Sequence, residues 1–371
     1  MDATLYIGLM SGTSLDGVDA ALVDFSATAP RVLATHFAPF DPELRRELMA
    51  LQNAGDNELE RGALAGNRLA HSYARGVSEV LRSAAIAPSA VRAIGAHGQT
   101  VRHRPAAGFS IQLNNPALLA ELSGISVAAD FRSRDIAAGG QGAPLAPAFH
   151  RAYFGAPDKA RAVVNIGGIA NVTLLGTDGG VQGFDTGPGN ILLDAWCSQH
   201  RHVPYDAGGQ WAAGGEVLPE LLEAMLLEPY FALPAPKSTG RDLFSTEWLT
   251  RALGSHGTQS GYLAADVQAT LLELTALTIA SGLATTPSHL RADTNYICGG
   301  GAHNTRLMQV LSRKLAPATV STTAELGVPP DWVEAVAFAW LAKCLIEGLP
   351  SSLTAVTGAR GTRILGAIFP A

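Results

Sequence analysis

The chain has 371 residues, which at roughly 100–200 residues per domain predicts two domains rather than one. It carries 26 Lys and Arg against 32 Asp and Glu, for a formal charge of −6, and 47% of its residues are hydrophobic. This composition is typical of a globular protein, and it argues against a disordered chain and against a basic surface for nucleic acid. The 40 glycines lie scattered in short turns and need a local explanation.

The ends and the cysteines favour a cytoplasmic protein. The segment Met1–Tyr6 has neither the basic nor the apolar region of a secretory signal. No stretch reaches about 18 uninterrupted apolar residues, since even Ala264–Leu283 contains acidic and amide residues. Cys197, Cys298 and Cys344 lie far apart with no Cys-x-x-Cys spacing, so we expect buried, reduced thiols. We therefore expect no membrane span.

The first third of the chain predicts a hairpin followed by helices. Thr4–Met10 and Val18–Phe25 are rich in β-forming residues, and Ser11–Gly17 between them is a polar, glycine-containing turn. Asp41–Ile86 has apolar residues recurring at threes and fours, as in helices that cover a sheet. Two further strands are predicted, each followed by polar residues: Val91–Ala96 and Ile125–Ala129.

The second half repeats the hairpin-led pattern without repeating its sequence. Strands are predicted at Ala162–Ile166, Val172–Leu175 and Val181–Phe184; the third ends at Asp185 and leads into a helix with Asn190 as its N-cap. The apolar segment Leu218–Leu227 follows. Helices are predicted at Thr246–Leu253, Ala264–Ala284, Thr305–Leu315 and Trp332–Ile346, a strand at Asn295–Cys298, and a strand or extended tail at Arg363–Phe369. Two such sheets predict a pair of related α/β lobes facing a ligand crevice.

Three glycine loops have the composition expected around a polyphosphate. Glycine lets a backbone N–H approach an anion closely, and a helix N-terminus favours negative charge. The loops are Gly8–Gly17, Asp185–Asn190 and Gly299–Gly301. The P-loop, Rossmann, nucleophile-elbow and zincin motifs are all absent from the chain. Each loop alone is weak evidence, but together they predict a nucleotide site.

Six motifs, taken in chain order, resemble the anhydro-N-acetylmuramic acid kinase family of the actin/hexokinase/Hsp70 superfold: Ser11–Asp19, Ala96–Thr100, Asp130–Arg132, Val164–Asn171, Gly183–Asn190 and Cys298–Asn304. The resemblance implies an α/β, two-lobed actin-like ATPase fold, related to ribonuclease H, with an interlobe cleft. We expect residues 1–128, completed by about 350–371, to form a first lobe with the phosphate hairpin. Residues 129–349 would form a second lobe with the catalytic Asp, a second phosphate loop and an adenosine loop.

The resemblance also implies an activity. The family opens the 1,6-anhydro ring of anhydro-N-acetylmuramic acid with water and phosphorylates the released O6, using ATP and Mg²⁺. The products are N-acetylmuramic acid 6-phosphate and ADP, and the process is peptidoglycan recycling. We therefore expect a cytoplasmic homodimer whose partners are the amino sugar and ATP, with neither nucleic acid nor a membrane as a partner.

Site residues follow from the motifs that match the family. Asp185 is expected to be the catalytic base, and Asp16 or Asp19 to reach Mg²⁺ through water. The sugar site is expected to include Thr100, Arg132 and Glu334. The ATP site is expected to include Gly12, Thr13, Ser14, Leu15, Asp16, Gly17, Val18, Asp19, Gly168, Gly187, Gly189, Asn190, Gly299, Gly300, Gly301 and Asn304.

Spacing alone leaves other interpretations open. Asp185 serves equally well as a turn cap. Arg132 is expected from spacing to pair with Asp130 or Asp135 at the surface. Glu334 lies near a helix start, where an acidic residue is favourable for structural reasons alone.

Two further alternatives concern His97 and the function as a whole. His97 is more readily a satisfied polar histidine than a metal ligand, because no partner recurs at ligand spacing. At the level of function, the alternatives are another sugar kinase of the same superfold and a non-catalytic, ATP-gated regulator.

Overall fold

The computed structural model describes residues 4–12, 14–254 and 261–371. The chain divides into two compact units. Unit 1 contains Met1–Tyr153, Leu326–Val328 and Trp332–Ala371, and unit 2 contains Phe154–Glu325 and Pro329–Asp331.

Strands and helices alternate through both units. The strands are β1 Leu5–Met10, β2 Gly17–Asp24, β3 Arg31–Pro39, β4 Val91–Ala96, β5 Gln99–Arg104, β6 Phe109–Leu113, β7 Val127–Ala129, β8 Arg161–Ile166, β9 Ile169–Leu175, β10 Val181–Pro188, β11 Thr294–Cys298, β12 Thr319–Thr322 and β13 Ala367–Phe369. The helices are α1 Pro42–Ala50, α2 Glu58–Ala84, α3 Pro116–Ser123, α4 Ser133–Ala137, α5 Ala146–Phe154, α6 Ile191–Arg201, α7 Gln210–Ala213, α8 Pro219–Leu226, α9 Pro229–Ala232, α10 Thr246–Gly254, α11 Ala264–Ala284, α12 Thr305–Lys314, α13 Val333–Ile346 and α14 Thr354–Thr357.

The main sheets of the two units share one topology. In unit 1 the strand order is β13-β7-β4-β1-β2-β3, and in unit 2 it is β10-β9-β8-β11-β12. In each unit the first three strands in the chain are antiparallel neighbours, and the next two strands of the sheet extend it in parallel beyond the first. The predicted α/β fold with two hairpin-led lobes of related architecture is confirmed.

Glycines on the central strands of unit 1 let a helix lie directly on the sheet. Gly8 of β1 and Gly95 of β4 are register partners. A Cβ at Gly8 would overlap the carbonyl oxygen of Ala335, and one at Gly95 would overlap that of Phe338, both in α13. Leu9 points to the opposite face, where it approaches the backbone of α2 at Gly76. The sheet of unit 1 is therefore covered by α13 on one face and by α2 on the other.

The unit boundaries differ from residues 128 and 349, which the sequence analysis predicts. The reason lies in long-range contacts that the local pattern does not contain. α13 packs against β1, β4 and β2, so it belongs to unit 1. Asp135 of α4 accepts a hydrogen bond from the Thr357 hydroxyl at 2.8 Å, which ties residues after 128 to the C-terminal segment.

α11 is the central helix of unit 2. It packs against β9, β10 and helices α6, α7, α8 and α12. By length and composition Ala264–Ala284 also qualifies as a membrane span, but 67% of that window is buried inside the protein, as in the core helix of a globular unit. The prediction that this segment is not a membrane span accords with this burial. The three cysteines are buried and free, as predicted.

Candidate active site

The turn between β1 and β2 is fastened to the segment that follows β4. The Ser11 hydroxyl lies 2.8 Å from the Tyr73 hydroxyl and donates to the carbonyl of Gly98 at 3.2 Å. The Gln99 amide donates to the carbonyl of Gly12 at 3.1 Å. These bonds hold Ser11 and Gly12, at the beginning of the turn, in place.

Only part of the turn presents side chains to solvent. Ser14 and Asp16 are exposed, and the Ser14 hydroxyl donates to Asp16 Oδ1 at 2.7 Å. Leu15 is 1% exposed and Val18 is fully buried in the core of unit 1. Leu15 and Val18 can therefore contact a ligand only through their backbone, while Ser14 and Asp16 offer polar side chains.

Three other residues of this segment are predicted to contact ATP, and the two that the structure describes differ in their surroundings. A Cβ at Gly17 would overlap the carbonyl oxygen of Ala38 in β3, so packing alone requires this glycine. Asp19 is half-buried in β2, and its charge raises the pKa of the Tyr73 phenol in addition to the larger effect of burial. Thr13 lies outside the described residues.

A polar network on unit 1 joins two of the residues predicted for the sugar site. The Arg132 Nη2 group donates to His97 Nε2 at 2.8 Å. The Gln112 amide nitrogen lies 3.1 Å from the same His97 atom and donates to the Thr100 hydroxyl at 2.7 Å. Thr100 and Gln112 are register partners on the small β5–β6 sheet. The structure thus brings Thr100 and Arg132 together through His97 and Gln112, which the sequence analysis did not assign to the site.

Arg132 does not form the surface ion pair that its spacing favours. Its Nη1 donates to the carbonyl of Gly142 at 2.8 Å, Asp130 accepts from Ser133, and Asp135 accepts from the Gly142 N–H. Burial lowers the pKa of Arg132 to about 10, so the guanidinium remains charged at neutral pH. Its Nε is buried with no hydrogen-bond partner among the described residues. Arg132 therefore carries a positive charge, its two terminal nitrogens are hydrogen-bonded within the protein, and its Nε–H has no partner among the described residues.

Glu334 lies in the first turn of α13, as predicted, and interacts with Arg132 at longer range. Although its side chain is exposed, surrounding protein restricts the solvation of its carboxylate and raises its pKa, while the Arg132 charge opposes that rise. Among the described residues the two form no ion pair, so each remains available to a ligand.

Asp185 is held within a strand of unit 2 rather than after its end. β10 continues to Pro188, with a register shift between Asp185 and Gly187. Asp185 Oδ2 accepts from the backbone N–H of Thr239 at 2.9 Å, and its carbonyl accepts from the Tyr230 hydroxyl at 2.7 Å. Burial raises the pKa of Asp185 to about 6, and the Thr239 hydrogen bond opposes the rise. A base that titrates near neutrality suits proton transfer.

The segment around Thr239 is a part of this site that the sequence analysis missed. The Asp185 N–H donates to the Lys237 carbonyl at 2.9 Å, and Lys237 Nζ donates to the carbonyls of Tyr230 and Phe231 at 3.1 Å each. The Thr239 hydroxyl is buried with no hydrogen-bond partner among the described residues. An unpartnered buried hydroxyl beside the carboxylate that is predicted to be the catalytic base is a candidate contact for substrate or water.

Packing within unit 2 accounts for four of the predicted ATP-site glycines. A Cβ at Gly189 would overlap the Gly167 carbonyl, and one at Gly301 would overlap the Ile166 side chain. At Gly299 it would overlap the Asn165 side chain, and at Gly187 it would lie 2.8 Å from the Phe231 ring. These glycines are required whether or not a ligand binds.

Two of the glycines predicted for the ATP site in unit 2, Gly168 and Gly300, have room for a Cβ without overlap. The nearest heavy atom to a Cβ at Gly168 is Ile191 Cβ at 3.9 Å, and at Gly300 it is Asn190 Nδ2 at 3.7 Å. A ligand can approach the backbone at these positions without displacing protein atoms. Among the ATP-site glycines predicted in this unit, packing therefore leaves Gly168 and Gly300 most open to a ligand.

The asparagines predicted for the ATP site have structural partners. Asn190 occupies the N-cap position of α6, as predicted, but its side chain makes no capping hydrogen bond; its Nδ2 donates instead to the Ile166 carbonyl at 3.1 Å. The N–H groups of Gly189 and Asn190 donate to Gly168 and Gly167 at 2.9 and 2.8 Å. Asn304 caps α12 by accepting from the Leu307 N–H at 3.0 Å. The bonds of Gly189 and Asn190 thus join the loop Asp185–Asn190 to the turn at Gly167 and Gly168.

Comparison with known proteins decides the family. The sequence model described as anhydro-N-acetylmuramic acid kinase matches residues 4–371. The chain belongs to the anhydro-N-acetylmuramic acid kinase family. Proteins with that name are 52% identical in Pseudomonas putida and 53% in Nitrosomonas europaea, each over 99% of both chains. One from Bordetella avium is 56% identical over 99% of this chain and 96% of its own.

Among solved structures, a ROK family glucokinase from Streptomyces griseus in complex with glucose and AMPPNP is similar at 14% identity. Its TM-score is 0.44, and the alignment covers 91% of this chain and 99% of that chain. The predicted membership of the anhydro-N-acetylmuramic acid kinase family is confirmed by the sequence matches. The roles of individual site residues stay predictions.

Proposed function

We infer that this chain is an ATP-dependent kinase that opens 1,6-anhydro-N-acetylmuramic acid with water and phosphorylates its O6, giving N-acetylmuramic acid 6-phosphate and ADP in cell-wall recycling. The observation that carries this conclusion is the family match over residues 4–371, with relatives at 52–56% identity over 99% of the chain. A different sugar kinase or a non-catalytic regulator is not favoured by these matches.

Asp185 is suited to act as the general base. Its pKa of about 6 leaves it deprotonated at neutral pH yet basic enough to accept a proton. Its Oδ2 accepts from Thr239, and Oδ1 accepts no hydrogen bond from the described residues. We propose that Oδ1 takes the proton from the water that attacks the anomeric carbon. The C1–O6 bond then breaks, and O6 attacks the γ-phosphate in line.

Arg132 is suited to bind the carboxylate of the sugar's lactyl group. A guanidinium whose N–H groups are free on one edge binds a carboxylate with paired, charge-assisted hydrogen bonds. Arg132 keeps its buried Nε without a partner, while both terminal nitrogens are held in place by His97 and Gly142. Thr100 and Glu334 complete the proposed sugar contacts with a hydroxyl and a carboxylate.

Each unit, taken by itself, contains proposed ATP contacts. In unit 1 they are the backbone of residues 12–19 and the exposed side chains of Ser14 and Asp16; in unit 2 the open positions Gly168 and Gly300 are favoured. Mg²⁺ binds proteins through one or two carboxylates and keeps several waters, which the exposed Asp16 and half-buried Asp19 fit. When bound, Mg²⁺ would neutralise charge on the transferred phosphate.

Location and assembly are also part of the proposal. Three buried, free cysteines suit a reducing compartment such as the cytoplasm. We propose that the enzyme is a homodimer, as the family resemblance implies. Light scattering on the purified protein measures this directly: a mass of about twice 38.5 kDa supports the dimer, and a monomer mass contradicts it.

The activity is tested by measuring ADP release with different acceptors. Anhydro-N-acetylmuramic acid should support turnover, whereas glucose and N-acetylglucosamine should not, because they lack both the anhydro bridge and the lactyl carboxylate. Anhydro-N-acetylglucosamine is the matched control, since it lacks only the lactyl group. Equal rates with plain hexoses would favour the other sugar kinase, and sugar-independent ATP hydrolysis would favour a regulator.

A further inference from the structure

His97 lies at the junction of two segments proposed to bind different ligands. It follows β4, is 6% exposed, and its ring packs 4.8 Å from that of Phe338 in α13. One ring nitrogen contacts Ser11, at the start of the β1–β2 turn Ser11–Gly17, which is proposed to bind ATP and is called the phosphate turn below. The other contacts Arg132, the proposed sugar anchor. No other described side chain bonds both of these residues.

The hydrogen bonds determine which nitrogen of His97 carries the proton. Nδ1 lies 3.1 Å from the Ser11 carbonyl oxygen, which can only accept, so Nδ1 is protonated. Nε2 receives the Arg132 guanidinium at 2.8 Å and the Gln112 amide at 3.1 Å, both of which donate, so Nε2 carries the lone pair. The imidazole is therefore neutral, with a fixed tautomer and no freedom to flip.

Electrostatics maintain this state. Burial lowers the pKa of His97 to about 3, and the positive charge of Arg132 acts in the same direction. A second proton would place one cation against another and remove the acceptor of the Arg132 bond. The ring therefore keeps one donor side and one acceptor side throughout the physiological pH range.

Arg132 depends on this acceptor for its orientation. One terminal nitrogen is held by the Gly142 carbonyl and the other by His97 Nε2. With both ends fixed, the plane of the guanidinium is set, and the unpartnered Nε edge is directed by the protein. Prior orientation of a long side chain lowers the entropic cost of binding its ligand.

We propose that His97 is a positioning residue that uses its two ring nitrogens separately, orienting Arg132 for the sugar carboxylate through Nε2 and fixing the phosphate turn at Ser11 through Nδ1. This inference rests on the proposed function, which supplies the ligands of the two segments. It predicts that each nitrogen controls the affinity for a different substrate.

Two substitutions separate the two nitrogens. In His97→Asn the amide nitrogen replaces Nδ1 and keeps the donor to Ser11, but the acceptor for Arg132 is lost. In His97→Gln the amide oxygen replaces Nε2 and keeps that acceptor, but the donor to Ser11 is lost. Loss of a hydrogen bond to a charged group predicts a rise of about tenfold or more in the sugar KM for His97→Asn, with the ATP KM little changed. His97→Gln should raise the ATP KM instead.

Controls keep the test decisive. The His103 side chain is exposed, and among the described residues it forms a hydrogen bond only with the Ser110 hydroxyl of the same hairpin, so His103→Asn and His103→Gln should leave both KM values unchanged. Gln112→Met removes one donor to Nε2 and also the hydrogen bond to the Thr100 hydroxyl, from a half-buried side chain, so it tests the joined network of His97, Arg132 and Thr100 even where a His97 variant folds poorly. It should raise the sugar KM severalfold and leave the ATP KM unchanged.

The outcomes are distinguishable. If the wild-type enzyme turns over and both His97 variants change the two KM values equally, or lower only kcat and Tm, the positioning role is overturned and the function stands. If the wild-type protein has no sugar-dependent turnover, the proposed function fails. Nitrogen NMR of the imidazole then decides the geometry: a neutral Nδ1–H ring that does not titrate between pH 5 and 8 supports it, and an Nε2–H or titrating ring overturns it.

Discussion

The backbone N–H of Thr239 donates to Oδ2 of Asp185 at 2.9 Å, across 54 residues of the chain. The same carboxylate belongs to a strand whose backbone at Asp185 also pairs with Lys237. The loop that contains Thr239 therefore fixes the carboxylate in one orientation and stabilises its charged form, against the larger effect of burial.

Asp185→Asn should lower kcat by about 10²–10⁴-fold, the usual contribution of a general base. The amide oxygen can still accept from Thr239, so the fold should persist, with a Tm no lower than that of the wild type. ADP release and a thermal melt measure the two effects. Asp178→Asn, in an exposed turn, is the control and should be active. An Asp185→Asn protein with full ADP production would contradict the base assignment.

Thr239→Val should reduce activity without reducing stability. The substitution keeps the backbone N–H that bonds Asp185 and removes only the hydroxyl, which is buried and unpartnered. Removing an unsatisfied buried polar group is neutral or stabilises by about 1 kcal/mol. We expect kcat to fall about tenfold, because the hydroxyl would contact substrate or water. Unchanged kinetics together with a raised Tm would show that the hydroxyl has no part in the reaction.

The rate should depend on pH through the ionisation of Asp185. A base acts only when deprotonated, and burial raises its pKa to about 6. kcat/KM should therefore rise about tenfold per pH unit below that value and level off above it. His97 should not add a second ionisation to the pH–rate profile in this range, since its pKa is about 3. A profile that stays flat down to pH 4.5 would mean that no group of raised pKa controls the step.

Much of the fold follows from local patterns, and much of the site does not. The hairpin Leu5–Asp24 can be predicted from the sequence because two runs of β-forming residues flank a polar turn. The burial of Leu15 cannot be predicted from the sequence, since it depends on a positive φ of 55° that turns the side chain into the core. Likewise, nothing near Asp185 in the sequence indicates Thr239, because their contact joins a strand to a distant loop.

The sugar side shows the same limit. The Asp130–Arg132 motif marks the arginine, but spacing favours an ion pair with a neighbouring acid. In the folded protein its partner is His97, 35 residues away. The sequence does contain a signal for this partner, because the polar run His97–Thr100 directly follows a buried strand. The family motif predicts only Thr100 of this run for the sugar site. Strand ends bring such runs together only once the sheet has formed.

Substitution of glycines should separate ligand contacts from packing. Gly168→Ala has open space for its Cβ, so its stability should stay within about 0.5 kcal/mol of the wild type, while the ATP KM rises. Gly189→Ala would overlap the Gly167 carbonyl, so it should lose about 1–3 kcal/mol or more of stability. Thermal melts and ATP titrations of the pair measure this. A destabilised Gly168→Ala with normal ATP affinity would contradict the assignment.

The central claim is that water opens the anhydro bridge while O6 receives the phosphate, and an isotope experiment tests it most directly. The reaction is run in ¹⁸O-labelled water and the sugar phosphate is analysed by mass spectrometry, with unlabelled product incubated in the same water to correct for anomeric exchange. One label on the sugar at C1 and none on the phosphate is the predicted result. A sugar phosphate with no label beyond the control, or label on free phosphate with the anhydro sugar unchanged, would contradict it.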